Sequence, residues 1–209
     1  MSTDEYCYLR NGLDYNTYTD SGRMGYRKDR SDPQVWTKLD DTLSRLWRMH
    51  DYGRINKYQS DSPRKVTLEA MATAVPGMPD RPDFYGYWAH APLLLTAARG
   101  GPVMLGAVGL DIPEVNGYWL AETYQKPLPQ DATKQTTMIR LQSMANPGCY
   151  LGHLRDTTSP IPGTDVPLSA KQLALYDHPA PQSAYVDWWW YMEFAPAPAS
   201  AVKGRPVSA

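Results

Sequence analysis

The sequence predicts a mainly α-helical protein with extensive irregular and extended segments. Two stretches near the N-terminus carry apolar residues at three- and four-residue spacing, which is typical of a helix with one buried face. The 19 prolines interrupt regular structure elsewhere, and neither end of the chain has a sustained apolar period. We therefore predict an extended N-terminal arm over 1–30, a single loosely organised helical body over 31–194, and an extended C-terminal tail over 195–209.

The clearest predicted element is a helical hairpin formed by about 33–52 and 63–74. Asp32 is a good N-cap, Pro33 suits the first helical position, and Gly53 suits the stop. The shorter helix begins in the same way, with Ser62 as N-cap and Pro63 at the first helical position. Core packing is the expected role of both apolar faces. The apolar positions of the first helix are Val35, Trp36, Leu39, Leu43, Leu46 and Trp47.

The longest apolar run, 91–110, lies between two aromatic groups and has one charge, Arg99, near its centre. Twenty apolar residues between aromatic residues are typical of a membrane-crossing segment. Arg99 and the Gly-Gly-Pro that follows it argue against one continuous helix. Divided there, the run becomes a helix–turn–helix or a buried hairpin. We interpret it as a bent apolar segment that faces a partner, and both lipid and protein remain open as that partner.

A few further short helices are predicted over 131–145, 169–176 and 183–194, the last of which is intensely aromatic. Asn146-Pro147-Gly148 ends the first of these. The sequence shows no internal repeat.

The composition favours contact with a partner. Leu, Ile, Val and Phe make up about 17% of the 209 residues, below the roughly 20% at which an aliphatic core becomes difficult to build. Tyr and Trp number 15 and 7 against 2 Phe, and their polar tips suit surfaces that become buried against another molecule. A self-contained core rich in Tyr and Trp is the alternative. The net charge of −1 implies neither bulk nucleic-acid binding nor polyacidic behaviour.

We find no sequence motif for catalysis, and predict no catalytic, cofactor-binding or metal-binding residue and no cofactor. Nucleophile-elbow, P-loop and dinucleotide-binding motifs do not occur. Basic and aromatic residues mix over 23–58, but interspersed aspartates and the lack of a recognised signature argue against nucleic acid. The candidate contacts with a partner or a membrane interface are Tyr85, Trp88, Arg99, Trp119, Trp188, Trp189 and Trp190.

These observations predict a non-catalytic structural or accessory subunit of a large multiprotein assembly, not an enzyme. We favour a complex of the mitochondrial inner membrane, of the respiratory-chain or ATP-synthase kind. Lipid contact through 91–110 and 188–190 is a separate prediction. The N-terminus lacks the apolar region of a secretory signal, which favours an intracellular location. One alternative is a virion structural protein. Another is a small ligand-binding domain or enzyme with a site near Trp88, His90 and Arg99.

Overall fold

The chain forms strands rather than helices in the computed structural model, and no α-helix occurs in the part that the structure describes. Apart from the strands, there is a single-turn 3₁₀ helix at Glu114–Gly117. The described residues are 3–11, 23–27, 35–37, 43–71, 93–100, 103–109, 112–128, 131–154, 171–177, 186–187 and 189–197.

The strands, in chain order, are β1 (Thr3–Asn11), β2 (Met24–Arg27), β3 (Val35–Thr37), β4 (Leu43–Ser44), β5 (Trp47–Arg54), β6 (Arg64–Ala70), β7 (Leu93–Ala97), β8 (Val103–Ala107), β9 (Trp119–Leu128), β10 (Asp131–Ser143), β11 (Cys149–Leu154), β12 (Lys171–Gln172), β13 (Ala174–Asp177), β14 (Val186–Asp187) and β15 (Trp190–Ala195).

Six of these strands close into an antiparallel barrel. The pairing runs from β1 to β5, β6, β9, β10 and β15, and β15 pairs again with β1. Closure leaves none of the six as an exposed sheet edge. The ring therefore joins the first described strand of the chain to the last.

Three antiparallel hairpins lie between the barrel strands in the sequence: β2–β3, β7–β8 and β11–β13. Each hairpin is flanked by two barrel strands that pair with each other, so the chain repeats one arrangement three times. We call these repeats unit 1 (3–54), unit 2 (64–128) and unit 3 (131–195). A six-stranded barrel with three such hairpins has the connectivity of a β-trefoil. This repeat is one of strand topology, and it is not visible as a repeat in the sequence.

The side-chain register repeats with the topology. Leu9 in unit 1, Leu68 in unit 2 and Leu141 in unit 3 are each fully buried in the barrel. Their cross-strand partners are Met192, Met49 and Ala121, so each leucine faces an apolar residue on a neighbouring barrel strand. Directly opposing side chains of this kind are the unit of sheet stabilisation.

Three tryptophans at the starts of alternate barrel strands complete the core. Trp47, Trp119 and Trp190 are each 0% exposed. Each donates its indole N–H to a main-chain carbonyl oxygen in the first hairpin strand of its own unit. The acceptors are Met24 at 3.0 Å, Leu95 at 2.9 Å and Leu151 at 3.1 Å. The hairpins are thus attached to the barrel by hydrogen bonds that are shielded from water.

The predicted mainly α fold is wrong, and so is the helical hairpin over 33–52 and 63–74. Most of the described residues in these stretches form β3, β4, β5 and β6. Along β5, Trp47, Met49 and Asp51 are buried, while the residues between them are partly exposed. This period of two is typical of a half-buried strand. The apolar positions upstream, at three- and four-residue spacing, predict a helix instead, and this is why the sequence prediction is wrong here.

The shorter predicted helices also are strands. Residues 131–143 form β10, in which Ile139, Leu141 and Ser143 are buried on one face. Several β-branched residues in this stretch favour a pleated strand over a helix. The described parts of 169–176 and 183–194 belong to β12 to β15. Local propensity and packing on the barrel together decide these elements.

The structure also changes the predictions for the two terminal arms and for the apolar run over 91–110. Residues 3–11, assigned to an extended arm, form β1 within the barrel, and 190–195 form its neighbour. The described part of the tail ends at residue 197. Within 91–110, β7 and β8 pair as the buried hairpin that was one of the two alternatives for a divided run. Among the described residues, no helix has the length and apolar character needed to span a membrane.

Replacing Trp190 tests the tryptophan–carbonyl contact. Trp190→Phe removes the N–H that Leu151 accepts and leaves a smaller ring, so we expect the free energy of unfolding to fall by about 2–3 kcal/mol. Trp189→Phe is the matched control, because that neighbouring ring is only half-buried and lies outside the core. Its effect should stay near 0.5 kcal/mol. Urea denaturation of both variants measures the difference, and equal losses would contradict this account.

Candidate functional site

Carboxylates on the outer wall of the barrel are engaged in pairs with basic side chains. Glu69 on β6 accepts a hydrogen bond from Arg48 Nε at 3.0 Å, and its Oε2 lies 3.1 Å from His50 Nε2. Both partners are on β5, the neighbouring strand. Asp51 lies instead on the buried face of β5 with Trp47 and Met49, where it pairs with Arg64 and also accepts the backbone N–H of Gly53 at 2.7 Å.

The other barrel strands carry the same kind of pair. Glu193 on β15 accepts from Arg10 at 2.9 Å and from Arg23 at 3.0 Å. On β9, Glu122 pairs with Arg140, whose guanidinium also lies over the rings of Tyr150 and Trp189. These carboxylates are therefore structural, because each is held in place by a cation from a neighbouring strand or hairpin.

The cluster around Glu69 has one consequence for acid stability. Burial by itself would raise the pKa of this carboxyl group, but the hydrogen bonds from His50 and Arg48 outweigh it. The pKa of Glu69 is therefore lowered from its ordinary value of 4.5. A carboxylate with a lowered pKa stabilises the folded state above its unfolded pKa and loses that contribution on acidification.

A concave cleft of about 630 Å³ lies where unit 2 meets unit 3. Three short connections form it: the turn between β7 and β8, the 3₁₀ helix before β9, and the turn between β10 and β11. Its volume falls in the range that small-molecule sites occupy in proteins. The described residues that line it are Arg99, Val115, Asn116, Met144, Ala145, Asn146, Pro147 and Cys149.

Asn146 joins two of these connections. Its side-chain N–H groups lie 3.4 and 3.2 Å from the carbonyl oxygens of Ala97 and Ala98, and its Oδ1 accepts the backbone N–H of Gly100 at 3.0 Å. Gly100 has φ +67°, a conformation that favours glycine. The backbone around Arg99 is thus held by an amide from the next unit, which keeps the cleft in shape without a ligand.

The electrostatics of the cleft centre on Arg99. It is the one charged side chain among the described lining residues, it is exposed, and no partner for it occurs in the described ranges. The side chains of Val115 and Met144 supply apolar surface beside it, and Asn116 supplies an amide. A guanidinium without a carboxylate partner, next to amide and apolar groups, suits a small ligand that carries negative charge.

The two cysteines differ in their surroundings. Burial, with a smaller contribution from the charge of Glu5, raises the pKa of the Cys7 thiol to about 12. A thiol with such a pKa is almost wholly protonated and therefore inert. Cys149 is half-buried and lines the cleft, and neither of these two cysteines forms a disulfide. Cys149 can therefore report on whether the cleft is occupied.

The structure separates the residues that the sequence predicted as partner contacts. Trp119 and Trp190 are core residues with no exposed surface, and Trp189 lies on the outer wall against Arg140. Arg99 alone reaches the cleft. Tyr85, Trp88 and Trp188 lie outside the described residues, as does His90 of the alternative site.

Sequence reasoning missed the cleft residues Asn116 and Asn146, which were interpreted only as turn residues. The turn over 146–148 was correctly placed, and Gly148 indeed has φ +86°. Nothing local in the sequence connects this turn to Arg99, which lies 47 positions before Asn146. The hydrogen bonds of Asn146 form because the β7–β8 hairpin of unit 2 packs against the turn between β10 and β11 in unit 3.

Comparison with known proteins adds no family to this description. No protein-family model matches the chain, and no curated protein matches it. Within the ranges the structure describes, no group of three or more His, Cys, Asp or Glu side chains could hold a metal ion.

Glu69→Gln tests the outer-wall cluster. At neutral pH the variant should be less stable by about 2 kcal/mol, because a hydrogen-bonded charge is lost from a partly buried site. As the pH falls below 4.5 and through the lowered pKa, protonated Glu69 comes to resemble Gln and the difference should shrink. Urea denaturation across this range measures it. In a double-mutant cycle with Arg48→Met the effects should be non-additive, and a difference independent of pH would contradict the interpretation.

Thiol titration tests the contrast between the cysteines. In the native protein Cys149 should react with Ellman's reagent, while Cys7 should react only after unfolding in urea. Cys149→Ser should abolish the native reaction and leave the reaction of the unfolded protein at one thiol. Rapid native labelling of Cys149→Ser would show that Cys7 is accessible.

Proposed function

We propose that the protein is a non-catalytic binding module whose ligand site is the cleft between units 2 and 3. The observation that carries this proposal is Arg99, which is exposed and has no partner among the described residues, in a cleft that Asn146 keeps in shape. The carboxylates described above are paired with basic side chains of the barrel instead of converging in the cleft. The lining residues that the structure describes therefore offer groups that bind a ligand and no acid–base pair that would transform it.

The ligand class follows from the lining. A small molecule that carries a carboxylate, sulfate or phosphate would receive two parallel hydrogen bonds from the Arg99 guanidinium. Its uncharged part would contact Val115 and Met144, and the Asn116 amide would orient it. The sequence analysis gave a ligand site near Trp88, His90 and Arg99 as an alternative. The present proposal keeps Arg99 and replaces the other two residues with the turns that line the cleft.

The broader proposal of an accessory subunit is compatible with such a module, since binding modules act within larger assemblies. The argument from a weak aliphatic core no longer supports it, because the buried tryptophans and leucines form one continuous core. The location at the mitochondrial inner membrane and the virion alternative stay predictions.

Arg99→Gln tests the cleft. We expect at least one anion among inorganic phosphate, sulfate and short mono- and dicarboxylates to raise the melting temperature of the wild type. An anion at a hundredfold excess over its Kd should stabilise the folded state by about 2.7 kcal/mol. The variant should lose this shift because the guanidinium is absent. Differential scanning fluorimetry measures it.

Two controls separate binding from a general salt effect, which sulfate and phosphate also produce. Arg54→Gln removes an exposed arginine outside the cleft and should retain the full shift. The effective anion should also slow the labelling of Cys149 in the wild type but not in Arg99→Gln. Equal shifts in all three proteins, or none in the wild type, would overturn the proposal.

A further inference from the structure

The loop between β5 and β6 carries exposed side chains that the cleft does not use. We call residues 54–63 the hairpin tip. Within it Tyr58 is 99% exposed and Ile55 is 57% exposed. Single exposed apolar residues are ordinary on protein surfaces. Here two of them lie three positions apart on one loop, in which every residue from Arg54 to Asp61 is exposed.

The hairpin tip is ordered by its own polar groups. The backbone N–H of Asn56 donates to Ser62 Oγ at 3.0 Å, and Asn56 Oδ1 accepts the N–H of Tyr58 at 3.1 Å. The Asn56 amide also donates to Gln59 Oε1 at 3.0 Å. These three polar side chains therefore form hydrogen bonds within the loop, while the side chains of Ile55 and Tyr58 are exposed to solvent. A preformed loop loses little entropy on binding.

Two basic side chains flank these apolar residues in the sequence. Within the tip, Arg54 and Lys57 are basic and Asp61 is acidic, whereas Lys65, just beyond it, lies over the Tyr118 ring. Arg54 and Lys57 are exposed beside Ile55 and Tyr58. Arg64 at the base of the tip pairs with an aspartate on β5. The exposed charges of the tip would therefore be attracted to a negatively charged surface.

We propose that the hairpin tip docks onto the surface of an anionic lipid bilayer. Tyr rings concentrate in the headgroup zone, an Ile side chain enters the adjoining acyl region, and Arg and Lys are attracted to anionic headgroups. A stable protein interface buries about 800 Å² on each partner, far more than two apolar side chains on one loop present. Single-stranded nucleic acid would stack on the Tyr ring but has no apolar region for Ile55.

This surface is separate from the ligand cleft and involves other residues, so the two proposals succeed or fail independently. The chain would lie on the membrane through one loop of its barrel. The described halves of the 91–110 segment are buried as β7 and β8, and they are not the part that contacts lipid in this proposal.

Vesicle co-sedimentation of the full chain tests the proposal. We expect binding to vesicles of phosphatidylcholine with phosphatidylserine and much weaker binding to phosphatidylcholine alone. The double variant Ile55→Ser with Tyr58→Ser should lose the bound fraction. Lys57→Glu should weaken binding at least roughly fivefold, because one attracted charge is lost and a repelled one is added.

Phe194→Ser is the matched control. Its ring is 59% exposed on β15, which pairs with neither β5 nor β6, so this variant should bind vesicles like the wild type. Unchanged melting temperatures of the tip variants would exclude loss of fold as the cause. Wild-type binding by the double variant, or equal binding to both vesicle types, overturns the proposal. So does tip-dependent binding to single-stranded DNA without vesicle binding, which would assign the tip to nucleic acid.

Discussion

The indole N–H bond from each core tryptophan to a carbonyl oxygen of its own hairpin is the contact on which the rest of the structure depends. A buried N–H must find an acceptor, since leaving it unpaired costs free energy comparable to a lost hydrogen bond. Trp47, Trp119 and Trp190 each satisfy that requirement with the first hairpin strand of their unit. Each ring also contributes about 4–6 kcal/mol through the area it removes from water.

Those bonds determine where the surface features lie. Because Trp119 attaches β7 to the barrel, the turn after β7 comes to lie against the turn that follows β10, and the cleft forms between them. On the outside of the barrel, the register that puts Leu68 opposite Met49 also puts Glu69 opposite Arg48. The core and the ion pairs of the outer wall thus follow from one pairing.

Much of the candidate site was beyond sequence reasoning, for a physical reason. The cleft residues lie on connections from different units, and which connections meet is set by the pairing of strands that are far apart in the chain. The three units share core leucines and tryptophans, but unequal hairpins and connections separate these positions, so no fixed period appears. Arg99 could be singled out as a lone charge in an apolar run, whereas its neighbour Asn146 could not.

Local residues are enough to predict the bends at Gly100 and Gly148, which have a left-handed backbone, and the division of the apolar run at Arg99. The sequence also identified Trp47 as a core residue, although on the wrong kind of element. The burial of Trp190, the position of Trp189 on the wall and the barrel itself follow from long-range strand pairing. Burial depends on ring closure between strands at opposite ends of the chain, and no local pattern contains that information.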